Sequence, residues 1–190
     1  TTQYLVEKYP DIVIILDAKR ADIGNTNEGS AKFAFEYLQT DAITVHPYLG
    51  KEALEPFLKR ENKGIFVLCR TSNPGAEEFQ DLETSNTYLY EKVAFQVTNQ
   101  WNMKDNAYLV VGATYPRELE KVRQIAKTIP ILIPGVGAQG GNLEKTVKAA
   151  KKNFIINSSR GIIFASEEKD FAEAARFETE KLHKDILDCL

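Results

Sequence analysis

A (β/α)8 barrel, an α/β fold, is the class this sequence predicts, with about six of the eight βα units held in the chain. Three observations point there. Short β-branched runs alternate with segments of helical spacing. The runs are almost continuously apolar, as parallel strands covered on both faces are. Polar residues collect just after nearly every run, at the end where a barrel builds its site.

The runs "IVIIL" (12–16), "AITVH" (42–46), "GIFVLC" (64–69), "AYLVV" (107–111), "PILIP" (130–134) and "FIIN" (154–157) are the expected strands. Between them, Ala31, Ala34, Phe35 and Leu38 have helical spacing, and "KEALEPFL" gives a shorter helix around Ala53, Leu54 and Phe57. Leu89, Val93, Val97 and Trp101 make a third. Leu119, Val122 and Ala126 follow Pro116, which suits a first helical position. Leu143, Val147 and Ala150 repeat the pattern. The final run "EEKDFAEAARFETEKLHKDILDC" reads as one solvated amphipathic helix without chemistry.

An open doubly wound sheet is the alternative, but no long interruption marks two halves. A closed barrel needs eight units and roughly 250 residues. The 190 residues, opening on the helix tail "QYLVEKYP", are therefore expected to be a single domain, 1–190, forming the C-terminal portion of a barrel without its first two units. A smaller open sheet is the fallback.

Composition excludes several classes. A net charge of −3, with no Lys/Arg block, argues against nucleic-acid binding. No apolar run nears the roughly 20 residues of a membrane span, and the N-terminus lacks a signal-peptide pattern, so a cytoplasmic protein is expected. Cys69 lies in an apolar run and Cys189 at the C-terminus, so neither a disulfide framework nor paired metal ligands are expected. His46 and His183 alone exclude a His-rich metal site.

The first run breaks into "DAKRADIGNT", with Asp17, Lys19, Arg20 and Asp22 close together. On a strand Ile15, Asp17 and Lys19 share a face, with Asp22 a turn later. Such a cluster is either a salt-bridged surface terminus or a charge array at a barrel mouth. Further on, Gly135, Gly137, Gly140 and Gly141 would let backbone amides approach an anion ahead of a helix. Residues 135–140 also match the dinucleotide fingerprint G-x-G-x-x-G. That match is weak, because the fingerprint belongs after a first strand and needs an acidic residue about 20 positions on, where Arg160 stands.

The full string D-x-K-x-x-D-I-G-N-T, met by Asp17, Lys19, Asp22, Ile23, Gly24, Asn25 and Thr26, resembles the signature of the orotidine 5'-phosphate decarboxylase family. "TSNPGA" (71–76) resembles its pyrimidine-contacting loop, and "PGVGAQGG" (134–141) with "NSSRG" (157–161) its phosphate site. The three elements stand in order across the chain.

The resemblance implies decarboxylation of orotidine 5'-phosphate to UMP, the last step of de novo pyrimidine synthesis, with no cofactor and no metal. Lys19 would protonate C6, Asp17 would sit by the scissile carboxylate, and Asp22 and Thr26 would reach the neighbouring site of a homodimer. Asp17, Lys19 and Asp22 are thus the catalytic set. Ile23, Thr26, Ser72, Pro134, Gln139, Gly140 and Arg160 are the substrate-binding set, with Ser72 at the pyrimidine edge and Gln139 and Arg160 at the phosphate.

The family also takes an Asp and a Lys from two earlier strands absent here, so an incomplete charge network and an aggregation-prone open edge are expected. The rivals are a Mg2+-dependent sugar-phosphate enzyme of the same superfamily and a non-catalytic phosphate-binding barrel. "IGNT" and "SNPGA" match the decarboxylase, and a pure binder has no need of a Lys between two acids. His46 suits a hydrogen-bonded structural role better than a general base. Arg70 either touches substrate or closes a rim salt bridge. Trp101 and the Tyr88/Tyr90 pair fit a helix face packing on the barrel or a dimer contact, and the core suits them better.

Overall fold

The computed structural model describes residues 1–137 and 140–190. Its sheet has six parallel strands: β1 (Ile15–Arg20), β2 (Ala42–Val45), β3 (Gly64–Arg70), β4 (Ala107–Val111), β5 (Ile131–Pro134) and β6 (Phe154–Asn157). Each strand pairs with the next one in the chain, leaving β1 and β6 as the edges. Sequential order of this kind is singly wound, which removes the doubly wound alternative and gives a half-barrel.

The longer helices are α1 (Thr2–Lys8), α2 (Gly24–Lys32), α3 (Gly50–Leu58), α4 (Leu89–Gln96), α5 (Pro116–Ala126), α6 (Leu143–Ala150) and α7 (Phe171–Asp188), with a single turn at Arg160–Ile163. Alternation along the strands sorts side chains into two layers. Ile43, Val45, Ile65, Val67, Leu109 and Ile131 meet Ala31, Leu54, Phe57, Val97 and Leu119 of the helices. Ala42, Phe66, Val110 and Leu132 line the concave face, joined by Ile15, Leu68 and Tyr108. The Phe66 and Tyr108 rings lie 5.1 Å apart and pack together within this layer.

Local chemistry sets the helix ends. Pro116 occupies the first turn of α5, where its missing N–H costs nothing. The Asn142 side chain accepts the Lys145 N–H at 2.9 Å and starts α6. Arg123 on α5 is buried and donates to the carbonyls of Lys127, Ile129, Ala150 and Asn153, tying two helix ends to the segments that enter β5 and β6. The i+4 spacing in two predicted helices ends in π-helical turns at Phe33–Tyr37 and Val97–Trp101.

The first strand departs from its predicted span, 12–16. Ile12 and Val13 are 63% and 67% exposed, and β1 instead runs through the charged residues to Arg20. Among the described residues no strand flanks β1 on that side, so no neighbouring strand covers these apolar residues. Pro130 lies outside β5 because it has no N–H for a ladder. The helical turn Glu77–Gln80 and the hairpin Glu83–Thr84 with Thr87–Tyr88 were not expected from periodicity. No residue of α7 is buried, as a solvated helix requires. Among the described residues no helix is long and apolar enough to cross a membrane.

Candidate active site

The site begins as an irregularity in a strand. Ile15 and Leu16 pair with Ala42 and Ile43, but the next pair is Arg20 with Val45, so β1 carries two residues too many. The excess forms a bulge at which Lys19 adopts φ 48°, a left-handed conformation unusual for a side-chain-bearing residue. The Lys19 N–H turns to the Thr44 Oγ1 at 2.9 Å, and that hydroxyl donates to Asp17 Oδ1 at 2.8 Å. The other carboxylate oxygen, Oδ2, receives the Lys19 ammonium at 2.6 Å. Both charged side chains are half exposed.

They open onto a cavity of about 700 Å³ lined also by Ser72, Asn73, Pro134 and Asn157, with Leu68, Val110 and Leu132 as its apolar floor. The volume suits a small ligand. Strands β1, β3, β5 and β6 thus deliver the predicted catalytic pair, the pyrimidine-loop residue and part of the predicted phosphate site to one mouth.

Ser72 is held by what lies beneath its loop. Arg70, 1% exposed, grips Asp81 through Nε at 2.8 Å and Nη2 at 2.9 Å, donates to the Thr71 carbonyl at 2.7 Å, and stacks 3.8 Å from the Tyr115 ring. Gln80 and Thr71 add two bonds of 2.8 and 2.9 Å across the same base. Arg70 is therefore structural, the second of the two roles its position allowed. Gly112 lies so close that a Cβ there would meet Ser72 atoms at 2.7 to 2.9 Å.

The glycine-rich turn follows β5. Gly135, Gly137 and Gly140 have φ of 100°, 76° and 85°, and the Gly141 N–H returns to the Gly135 carbonyl at 3.2 Å. A Cβ on Gly141 would stand 2.7 Å from that carbonyl oxygen. Pro134, Gly135 and Val136 line a small recess with Asn157, Ser158, Ser159 and Arg160, bringing the two predicted phosphate segments together. Gln139 lies outside the described residues. G-x-G-x-x-G thus occupies a late βα turn, as the dinucleotide reading does not.

Asp22, Ile23 and Thr26 do not line the Lys19 cavity. Asp22 Oδ1 accepts the Ile23 N–H at 2.7 Å, Ile23 is 66% exposed, and Thr26 borders a groove on the opposite face of β1. Their turn is anchored by the buried Asn27, which accepts the Asp22 N–H and donates to the carbonyls of Asp22 and Ala53. His46 follows β2, its N–H bonded to the Arg20 carbonyl at 3.0 Å. Tyr90 is buried, and Trp101 packs against the core. Among the described residues no three His, Cys, Asp or Glu side chains converge as a metal site would need.

Two residues escaped the sequence reading. Asn27 looked like an ordinary helix residue. Thr44 carried a signal, being the one hydroxyl in the predicted strand 42–46 and set among the apolar Ala42, Ile43 and Val45 at an inward position.

Fold and site together define a βα-barrel protein with a lysine–carboxylate centre beside a glycine-rich anion turn. The profile of the "Orotidine 5'-phosphate decarboxylase / HUMPS family" matches residues 1–175, and the chain belongs to that family. It is 51% identical over 177 residues to orotidine 5'-phosphate decarboxylase of Ralstonia pickettii, covering 91% of this chain and 65% of that one. The chain thus spans about two-thirds of the length of such curated relatives.

Its structure resembles that of Leishmania donovani OMP decarboxylase at a TM-score of 0.84 and 37% identity, over 98% of this chain and 74% of that one. The Leishmania donovani UMP synthase structure gives 0.85 and 40% identity, over 96% and 41%.

Proposed function

We propose that this chain carries the chemistry for which its relatives are named, decarboxylation of orotidine 5'-phosphate to UMP. The observation that bears most weight is the Asp17–Lys19 pair, 2.6 Å apart, opening onto the cavity that Ser72 and Asn157 also line. The C6–carboxylate bond breaks with its electron pair left on C6, carbon dioxide departs, and a proton from Lys19 Nζ takes the carboxylate's place. No adjacent group of the ring absorbs that charge. A fixed ammonium in a site closed to water lowers the barrier electrostatically and then supplies the proton. Asp17 holds the ammonium and faces the substrate carboxylate.

The pyrimidine lies against Ser72, and the phosphate lies over the 135–141 turn with Gln139, Gly140 and Arg160. Phosphate binding remote from C6 then helps drive positioning at C6. Asp22 and Thr26, exposed and turned away from their own cavity, complete the site of a second copy in a homodimer, and Ile23 between them contacts substrate. The reaction needs neither cofactor nor metal, and the domain works in the cytoplasm.

The test is the absorbance change on adding orotidine 5'-phosphate in excess chelator, beside Lys19→Ala. Turnover should persist in chelator and fall by at least about 10³-fold in the variant. Turnover retained by Lys19→Ala would remove Lys19 from the mechanism. Loss in chelator would favour the magnesium-dependent relatives.

A further inference from the structure

We infer that Thr44 is a positioning residue for the Asp17–Lys19 pair, an assignment that rests on the decarboxylase reading above. Thr44 is fully buried in the middle of β2 and touches both partners through one oxygen. Its hydroxyl takes the place of a ladder carbonyl. Where the β1–β2 register slips, the Lys19 amide would otherwise face β2 with no acceptor, and Thr44 Oγ1 receives it at 2.9 Å. The left-handed backbone at Lys19, φ 48°, is a conformation that persists only where its surroundings impose it. Among the described residues this hydrogen bond is the one side-chain contact to that amide.

A hydroxyl has one proton, and with an N–H already donating to its oxygen, that proton is committed to Asp17 Oδ1 at 2.8 Å. The carboxylate is thereby fixed in rotation, with Oδ2 turned to the ammonium at 2.6 Å. Thr44 therefore sets both the direction in which the Lys19 side chain leaves the strand and the orientation of the acid that holds it. The half-exposed ion pair cannot do this alone, because water competes for both charges.

Thr44→Val keeps the shape and strand propensity of the side chain and removes only the hydroxyl. Three readouts test the role: kcat and KM for orotidine 5'-phosphate, amide hydrogen exchange at Lys19, and the urea midpoint. Thr44→Val should lower kcat by about 10- to 100-fold with KM changed less than about threefold. It should also speed exchange at the Lys19 amide, and Thr44→Ser should restore both.

A kcat within threefold of wild type would overturn the role, as would a loss that Thr44→Ser does not rescue. A merely structural Thr44 would shift the urea midpoint and leave kcat per folded molecule unchanged. If Thr44→Val does not fold, Thr44→Ser against Thr44→Ala gives the same comparison. If the 190-residue chain does not decarboxylate, the charge network without the Asp and Lys of the two earlier strands is insufficient for turnover, and Lys19 exchange still decides whether Thr44 holds the bulge.

Discussion

Removing Asp81 tests the frame that carries Ser72. Its partner Arg70 is 1% exposed while Asp81 is 32% exposed, so Asp81→Ala leaves a buried guanidinium with, among the described residues, only the Thr71 carbonyl and the Tyr115 ring. Burial pulls the Arg70 pKa down, but Asp81 and Tyr115 together raise it by more, so the group stays charged. Breaking a fully buried pair costs roughly 3–5 kcal/mol, and access of water to the Asp81 side brings the expected loss to about 2–3 kcal/mol. For a chain of this length that is a fall in Tm of about 5–10 °C.

Asp81→Asn keeps one acceptor and should lose about half as much. The double variant Arg70→Met/Asp81→Leu removes both charges from the buried space, and should lie within about 1 kcal/mol of wild type. Urea midpoints at unchanged slope would measure all three. A loss below about 0.5 kcal/mol in Asp81→Ala, or a double variant no better than the single, would refute the view that the cost is that of an orphaned buried charge.

Gly112→Ala would push a methyl to within 2.7 to 2.9 Å of Ser72, and since two of the atoms met are backbone, the loop must move. It should cost about 1–3 kcal/mol and raise KM for orotidine 5'-phosphate, and an unchanged KM would separate Ser72 from substrate binding. Glu28 on α2 binds Lys59 at 2.8 Å and Arg60 at 3.2 Å, which hold its carboxyl down from 4.5 to about 2. A group depressed on folding stabilises above its unfolded pKa and loses that contribution as pH falls through the folded value. Stability should therefore decline from about pH 4.5 toward pH 2, and Glu28→Gln should flatten that slope in urea midpoints across the window; an unchanged slope would assign the decline to other groups.

The six-strand order was legible because parallel strands buried on both faces must be apolar throughout, and "GIFVLC" and "AYLVV" have no other use for such a run. The same rule failed at "IVIIL". Ile12 and Val13 satisfy the composition of a strand, yet β1 is an edge and the ladder starts at Ile15. Composition reports what a residue could bury against, and only topology decides whether the neighbour exists. Lys19 and Asp17 were readable from their motif. The bulge that aims them was not, since it is a mismatch between two strands and has no signature in either alone. Arg70 was ambiguous for a related reason, because its partners Asp81 and Tyr115 come from loops of different units.

These placements divide the charges by function. Arg70 and Arg123 are buried, and each is satisfied by a rigid set of acceptors, a carboxylate with a carbonyl in one case and four carbonyls in the other. Asp17 and Lys19 are half exposed, and a pair in that setting contributes only about 0–1 kcal/mol to stability. Their weakness as a structural bond suits their proposed use. Attraction between fixed charges grows as water leaves, so a bound substrate that covers the mouth strengthens the field at C6 just where charge develops. That gain is available only if the ammonium already points at the reacting carbon before water departs. Its direction must then come from neutral, buried groups whose strength does not depend on hydration, and beside Lys19 that group is the Thr44 hydroxyl.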